Sequence, residues 1–163
     1  TEGKDYFFKT REAFEQMIRD GELIEYACYV NHYYGTPRAY VEEMLAQGRD
    51  VILEIEIQGA RKIRQQFPEA VLLFVTTKDA QTLRERLAGR GTETPEAIAQ
   101  RLERAVQESE GIEEYDYLVV NDELETCVEE IHAVIESEHR RIRYHMELVN
   151  KVREELRSFS KGE

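Results

Sequence analysis

The 163-residue chain has no tryptophan, three prolines, two cysteines and no long apolar run. A helix that crosses a bilayer takes about 20 consecutive apolar residues, so no membrane-spanning helix is expected. Cys28 and Cys127 lie far apart with no CxxC or Cys/His spacing around them, which leaves no zinc ligand set and no disulfide framework and makes both plain thiols. The histidines His32, His132, His139 and His145 share no ligand spacing and read as surface residues. The opening residues TEGKDYFFKT lack the basic start and apolar stretch of a secretory signal, so a soluble, cytoplasmic protein is expected. Positive charge is scarce: 22 Lys and Arg stand against 34 Asp and Glu, a net charge of −12. Such a field repels nucleic acid and anionic membranes. Any anionic ligand must be held by a local cluster.

What is present is enough apolar side chain, 41%, for a single core with a lobe or two. Short β-rich runs alternate with helical patterns, which predicts an α/β arrangement. Residues 10–19 place Phe14, Met17 and Ile18 on one helical face, and Gly21 ends that helix. Residues 24–34, rich in Tyr and Val, read as paired strands of a small sheet. A second helix over 37–47 has Pro37 in its first turn and Gly48 after its last. Residues 50–57, DVILEIEI, predict a buried strand with Glu54 and Glu56 at its carboxyl end. A helix over 59–66, a strand over 71–75 and a helix over 82–87 follow; a break at 89–92 marks a hinge-like lid. Thr94 as N-cap and Pro95 at the first helical position open the next helix, and 117–121, YLVVN, is the third buried strand. A long or broken helix closes the chain over 124–159; its Ile131, Ile135, Ile142 and Met146 can pack on their own domain or on another subunit as a homo-oligomer. Three buried strands separated by helices predict a parallel sheet with ligands at the carboxyl ends of its strands.

Some residues invite chemistry. A guanine ring presents N1–H and its exocyclic amino group side by side, and the carboxylate of Glu25 can accept from both, whereas adenine sets a bare lone pair against it. Taken alone, Glu25 reads as a solvated strand residue. In Tyr33-Tyr34-Gly35-Thr36-Pro37 a glycine that permits close backbone approach lies between a phenol and a hydroxyl, uncharged donors suited to a phosphate and a base edge, or to an ordinary aromatic turn. Arg86 and Arg90 lie four apart, on one helical face if the helix persists, and Arg101 follows on the next helix. Forked guanidiniums of this kind suit a moving phosphoryl group, and without further context the run LRERL reads as a solvated helix face.

Gly3-Lys4-Asp5-Tyr6-Phe7-Phe8, Ile24-Glu25-Tyr26-Ala27 and Tyr33-Tyr34-Gly35-Thr36, in this order, resemble the guanylate kinase family. So do Leu53-Glu54-Ile55-Glu56-Ile57-Gln58-Gly59-Ala60, Leu87-Ala88-Gly89-Arg90-Gly91-Thr92-Glu93-Thr94 and Val119-Val120-Asn121-Asp122. The resemblance implies a three-layer parallel sheet of the P-loop nucleoside-monophosphate-kinase type, with a small mixed α+β GMP-binding lobe (1–48), core (49–81), helical lid (82–101), and core plus C-terminal helix (102–163). It implies transfer of a phosphoryl group from MgATP to GMP, with GMP and ATP as the molecules bound. Tyr6 and Tyr34 would hold the GMP phosphate, Glu25 and Thr36 would read the guanine edge, Gly35 would belong to the same GMP site, and Glu54 would approach the nucleoside. Glu56 would serve a magnesium-bound water or the ribose, or be a strand-end charge. Arg86, Arg90 and Arg101 would be catalytic, Arg101 bridging donor and acceptor phosphates. Asn121 would lie near the ATP purine or ribose, or simply form a turn.

The chain departs from the family pattern in one respect. The motif G-x-x-x-x-G-K-[ST], which cradles ATP phosphates, is not among these residues, nor is the segment that supplies two arginines to the GMP phosphate. The expectation is a natural polypeptide that extends upstream and supplies the first central strand, with the 163 residues alone inactive and binding GMP weakly. The competing reading is a non-catalytic guanylate-kinase-like domain that binds a phosphopeptide partner.

Overall fold

The computed structural model describes residues 6–29, 32–89 and 94–160. It is a mixed α/β fold whose chain forms two compact units, Thr1–Leu72 with Ala105–Asp116, and Leu73–Arg104 with Tyr117–Glu163.

In the first unit, helix α1 (Arg11–Arg19) begins where the Thr10 hydroxyl accepts from the Ala13 amide at 3.2 Å. That bond satisfies one of the donors a helix start leaves orphaned. The helix stops at Asp20, and Gly21 turns the chain with φ +69°, a left-handed conformation that a side chain would strain. Strands β1 (Leu23–Tyr29) and β2 (His32–Pro37) then pair antiparallel, with Glu25 opposite Thr36 and Ala27 opposite Tyr34. Helix α2 (Arg38–Ala46) follows directly, and Gly48 at φ +72° reverses the chain behind it. Helix α3 (Ile57–Gln66) packs on β1. It is tied there by the Gln66 side-chain amide, which donates to the Ile24 carbonyl at 2.8 Å. Ile24, Val41 and Ile63 form the centre of this core, with Val51, Leu53, Ile55, Phe67 and Ala70 packed around them. Fully burying an aliphatic side chain of this size is worth about 1.5–3 kcal/mol, so these few contacts fix α2 and α3 on the hairpin.

Residues 50–57 correct the sequence reading. They are not a buried strand: 51–56 pair with no other strand, and Ile57 already belongs to α3. The alternation is real, since Val51, Leu53 and Ile55 face the core while Ile52 is 76% exposed and Glu54 is exposed. An extended chain has a side-chain period of two whether or not its backbone finds a ladder partner, so the pattern reports extension rather than sheet membership. Glu56 is accordingly the N-cap of α3, not a strand end.

In the second unit β3 (Leu73–Thr76) and β4 (Tyr117–Val120) pair parallel, Val75 opposite Val119, and the Asn121 amide extends the ladder to the Thr76 carbonyl at 2.7 Å. This two-stranded sheet stands in place of the three-stranded one expected among these residues. Its strands are not covered on both faces either: Val119 is 2% exposed, but Leu118 is 58% exposed. Apolar runs signal extended chain without saying what lies over it. Helix α4 (Ala80–Gly89) is capped by Asp79, which accepts from the Thr82 amide at 2.7 Å. Helix α5 (Pro95–Ser109) opens with the Thr94 hydroxyl accepting from the Ala97 amide at 3.3 Å, and from Ala105 onward it belongs to the first unit. The terminal helix is broken into α6 (Leu124–His139), a short turn at Ile142–His145, and α7 (Met146–Ser160). Tyr117 donates to the buried carboxylate of Glu138 at 2.7 Å and Arg141 to the same oxygen at 2.6 Å, which joins β4 to the end of α6. Among the described residues no helix is long and apolar enough to cross a membrane.

Candidate active site

The register of the hairpin assembles the site. Side chains of a strand alternate between faces and cross-strand partners share one, so Glu25 and Ala27 of β1 share a face with Thr36 and Tyr34 of β2. Glu25 is buried, at 7% exposure, and its Oε1 accepts from the Thr36 hydroxyl at 2.8 Å. A buried carboxylate is stable only when hydrogen-bonded. Its other oxygen, Oε2, lies 3.2 Å from where a Cβ on Gly59 would stand, so the carboxylate abuts the first turn of α3. Tyr34 is 48% exposed, and the Tyr6 ring meets it edge-on at 6.4 Å. The buried acceptor Glu25 and the hydroxyl of Thr36 thus lie on the face that also bears the exposed phenol of Tyr34, with the Tyr6 ring against it.

The opposite face of the hairpin explains Gly35. Tyr33 stacks on Phe14 of α1 at 5.1 Å with the rings 11° apart. A Cβ on Gly35 would come within 2.9 Å of both the Phe14 ring and the Glu25 carbonyl, and 3.1 Å of Leu23. The space that a side chain would fill at position 35 is therefore taken by the protein's own core. Glu54 is exposed on the extended segment, two residues before Glu56. Lys62 of α3 was not singled out by the sequence; it donates to the Tyr26 carbonyl at 3.0 Å and lies 4.0 Å over the Tyr26 ring. Lys62 carries no sequence signal beyond a helix that passes the hairpin, and Gly59 none beyond its place in the block 53–60.

The remaining predicted residues belong to the second unit. Arg86 on α4 donates to the carbonyls of Asn121 and Asp122 at 2.6 and 2.9 Å, its fork gripping the chain as it leaves β4. The structure thus brings Arg86 and Asn121 together. Arg101 is exposed on α5. Arg90, expected on a shared face with Arg86, lies outside the described residues. The cap beneath Arg86 is electrostatically favoured: hydrogen bonds from Thr82, chiefly its backbone amide, hold the Asp79 carboxyl below its ordinary pKa. Elsewhere, the Arg61 side chain holds Glu114 low in the same way. A cavity of about 190 Å³ lined by Arg61, Arg64, Leu72 and Glu114 is separate from the hairpin site, its guanidiniums already paired with Glu114 and Asp116. Among the described residues no three His, Cys, Asp or Glu side chains are grouped to hold a metal ion.

Carboxylate, phenol and guanidinium groups, each described within its own unit, are residue types that a nucleotide-phosphorylating enzyme draws on. Comparison with known proteins agrees. The guanylate kinase family model matches residues 1–138. A guanylate kinase of Streptococcus thermophilus is 54% identical over 141 residues, which are 86% of this chain and 68% of that protein. One from Lactococcus lactis is 51% identical over 86% of this chain and 69% of its own. The crystal structure of guanylate kinase from Anaplasma phagocytophilum superimposes with a TM-score of 0.72 at 32% identity, covering 86% of this chain and 69% of that one. The chain belongs to the guanylate kinase family, a family of nucleotide kinases.

Proposed function

We propose that the chain serves the transfer of a phosphoryl group from MgATP to GMP, giving ADP and GDP. The observation that carries this reading is the buried Glu25 carboxylate, fixed by Thr36 at 2.8 Å on the face that also bears Tyr34 and Tyr6. Glu25 accepts from guanine N1–H and the exocyclic amino group, while Thr36, beside Gly35, completes the base edge. Tyr6 and Tyr34 donate to the 5′-phosphate, Glu54 approaches the nucleoside, and Glu56 lies toward the ribose or a water on magnesium. Magnesium enters as part of the co-substrate, carried on the phosphates of ATP.

In this reading residues 1–48 are the GMP lobe, 49–81 and 102–163 the core with its C-terminal helix, and 82–101 the lid of a P-loop monophosphate-kinase-type sheet. Arg86, Arg90 and Arg101 neutralise charge that spreads over the transferring phosphoryl oxygens, and Asn121, whose carbonyl Arg86 holds, lies toward the ATP purine or ribose. Closure of lobe and lid excludes water from the reaction. A cytoplasmic setting, where both nucleotides are made, fits this reading.

The test is a coupled ADP-release assay on the protein encoded by the complete reading frame. GMP-dependent turnover is expected, with AMP and UMP poor substrates. By analogy with arginine fingers, Arg101→Ala should slow turnover by about 10³–10⁵. Calorimetry separates the binding-module alternative: GMP should bind in preference to a phosphoserine peptide. The reverse preference, with no turnover on any monophosphate, would overturn the enzyme reading.

A further inference from the structure

Gly59 stands where a side chain would disturb the base-reading carboxylate. It is buried in the first turn of α3, and a Cβ there would be 3.2 Å from Glu25 Oε2, 3.3 Å from Ile55 Cβ and 3.4 Å from Ile55 Cδ1. Two neighbours would have to accommodate one methyl. Ile55 is held, because it packs on the Ile24, Val41 and Ile63 core, and close-packed side chains give little room. The Glu25 carboxylate is tethered at one oxygen by Thr36, so its Oε2 is the atom free to yield.

We propose that Gly59 is a positioning residue for guanine selectivity: the missing side chain at 59 leaves Oε2 of Glu25 in the plane and at the reach that the second guanine donor requires. This rests on the reading of Glu25 as the guanine acceptor. Guanine offers two donors to the carboxylate, N1–H and the exocyclic amine, whereas hypoxanthine offers N1–H alone. A shift of a few tenths of an ångström at one oxygen spoils the paired geometry that a carboxylate needs for two parallel bonds. The penalty therefore falls on GMP more than on IMP. Sequence gives no reason to expect glycine here on helical grounds, since alanine is the better helix former; the reason lies across the gap, on β1.

The test is Gly59→Ala in the protein encoded by the complete reading frame, with GMP and IMP affinities measured by NMR titration and melting temperature followed alongside. The helix should be no less stable. GMP affinity is expected to fall about 10-fold and IMP affinity by 3-fold or less, so the GMP/IMP preference narrows. The same substitution on a Glu25→Gln background should change neither affinity by more than 2-fold, because the group it acts through is already disabled. Equal losses for GMP and IMP, or an undiminished loss on the Gln background, would overturn the positioning role alone. A wild-type chain without GMP preference, or Glu25→Gln without effect on GMP, would overturn the Glu25 reading and this inference with it. A second variant guards against a merely structural effect: Ile55→Val, combined with Gly59→Ala, gives the methyl room on its other side and should restore part of the preference.

Discussion

Replacing Thr36 by valine keeps the branched shape that suits a strand and deletes one hydroxyl. That hydroxyl donates to Glu25 Oε1 at 2.8 Å, and the carboxylate it serves is 7% exposed. Two effects follow. The bond exists without any ligand, and hydrogen bonds to charged groups are worth about 1.5–3 kcal/mol, so Thr36→Val should lower the unfolding free energy by about that much. Binding loses the contact of Thr36 with the base edge and, in addition, a preordered carboxylate. Without its tether the Glu25 side chain must be ordered when GMP arrives, at about 0.5–1.5 kcal/mol for one rotamer-rich side chain. At 1.4 kcal/mol per tenfold, that cost alone weakens GMP roughly 2- to 12-fold. Urea denaturation followed by circular dichroism reads the first quantity and calorimetry the second. Thr36→Ser, which keeps the donor, should recover most of both. An unfolding free energy within about 0.5 kcal/mol of the parent for Thr36→Val, or a serine variant as damaged as the valine one, would refute the reasoning.

Tyr117→Phe removes one of the two donors on Glu138 Oε1 and leaves a buried carboxylate short of partners. A loss of about 1–3 kcal/mol should appear as a lower urea midpoint with unchanged slope; an unchanged midpoint would mean the bond does not hold β4 to α6. The folded pKa of Asp79 is depressed, so its share of stability is present above its unfolded value and is lost as pH falls through the folded one. Thermal melts from pH 6 to about 3 should therefore decline less steeply for Asp79→Asn, which caps as well but does not titrate. Parallel melting curves for the two proteins would contradict this. Gly48 adopts φ +72° with no atom within 4 Å of a Cβ, so Gly48→Ala isolates backbone strain. It should cost about 1–2 kcal/mol in chemical denaturation, and a neutral result would show that the turn relaxes.

Local signals read well in this chain because their causes are local. Thr10, Gly21, Pro37, Gly48 and Thr94 each fix a helix end through their own backbone or side chain, and each helix ends where they stand. Residues 50–57 read less well: Val51, Leu53 and Ile55 alternate as a strand would, but the partner that makes a strand is a property of distant residues. The grouping of Glu25, Tyr34 and Thr36 in the candidate site was legible because a two-residue period puts Tyr34 and Thr36 on one face and antiparallel pairing adds Glu25. Gly59 was not, since its role depends on a carboxylate 34 positions earlier that only packing brings near. Arg86 was singled out for its charge, whereas its grip on the Asn121 and Asp122 carbonyls needed the fold to become visible.

The stack of Phe14 on Tyr33, with Gly35 pressed against the same ring, has a mechanical side. Tyr33 and Gly35 alternate along β2 with Tyr34 and Thr36, the residues proposed to meet the nucleotide. A torque applied to Tyr34 by a phosphate, or to Thr36 by a base, is delivered within one residue to the back of the strand and from there to α1. Helix and hairpin must then turn as one stiff lever, and the exposed face of α1, around Glu12 and Gln16, becomes a place where a reporter group can register occupancy of the site without touching it.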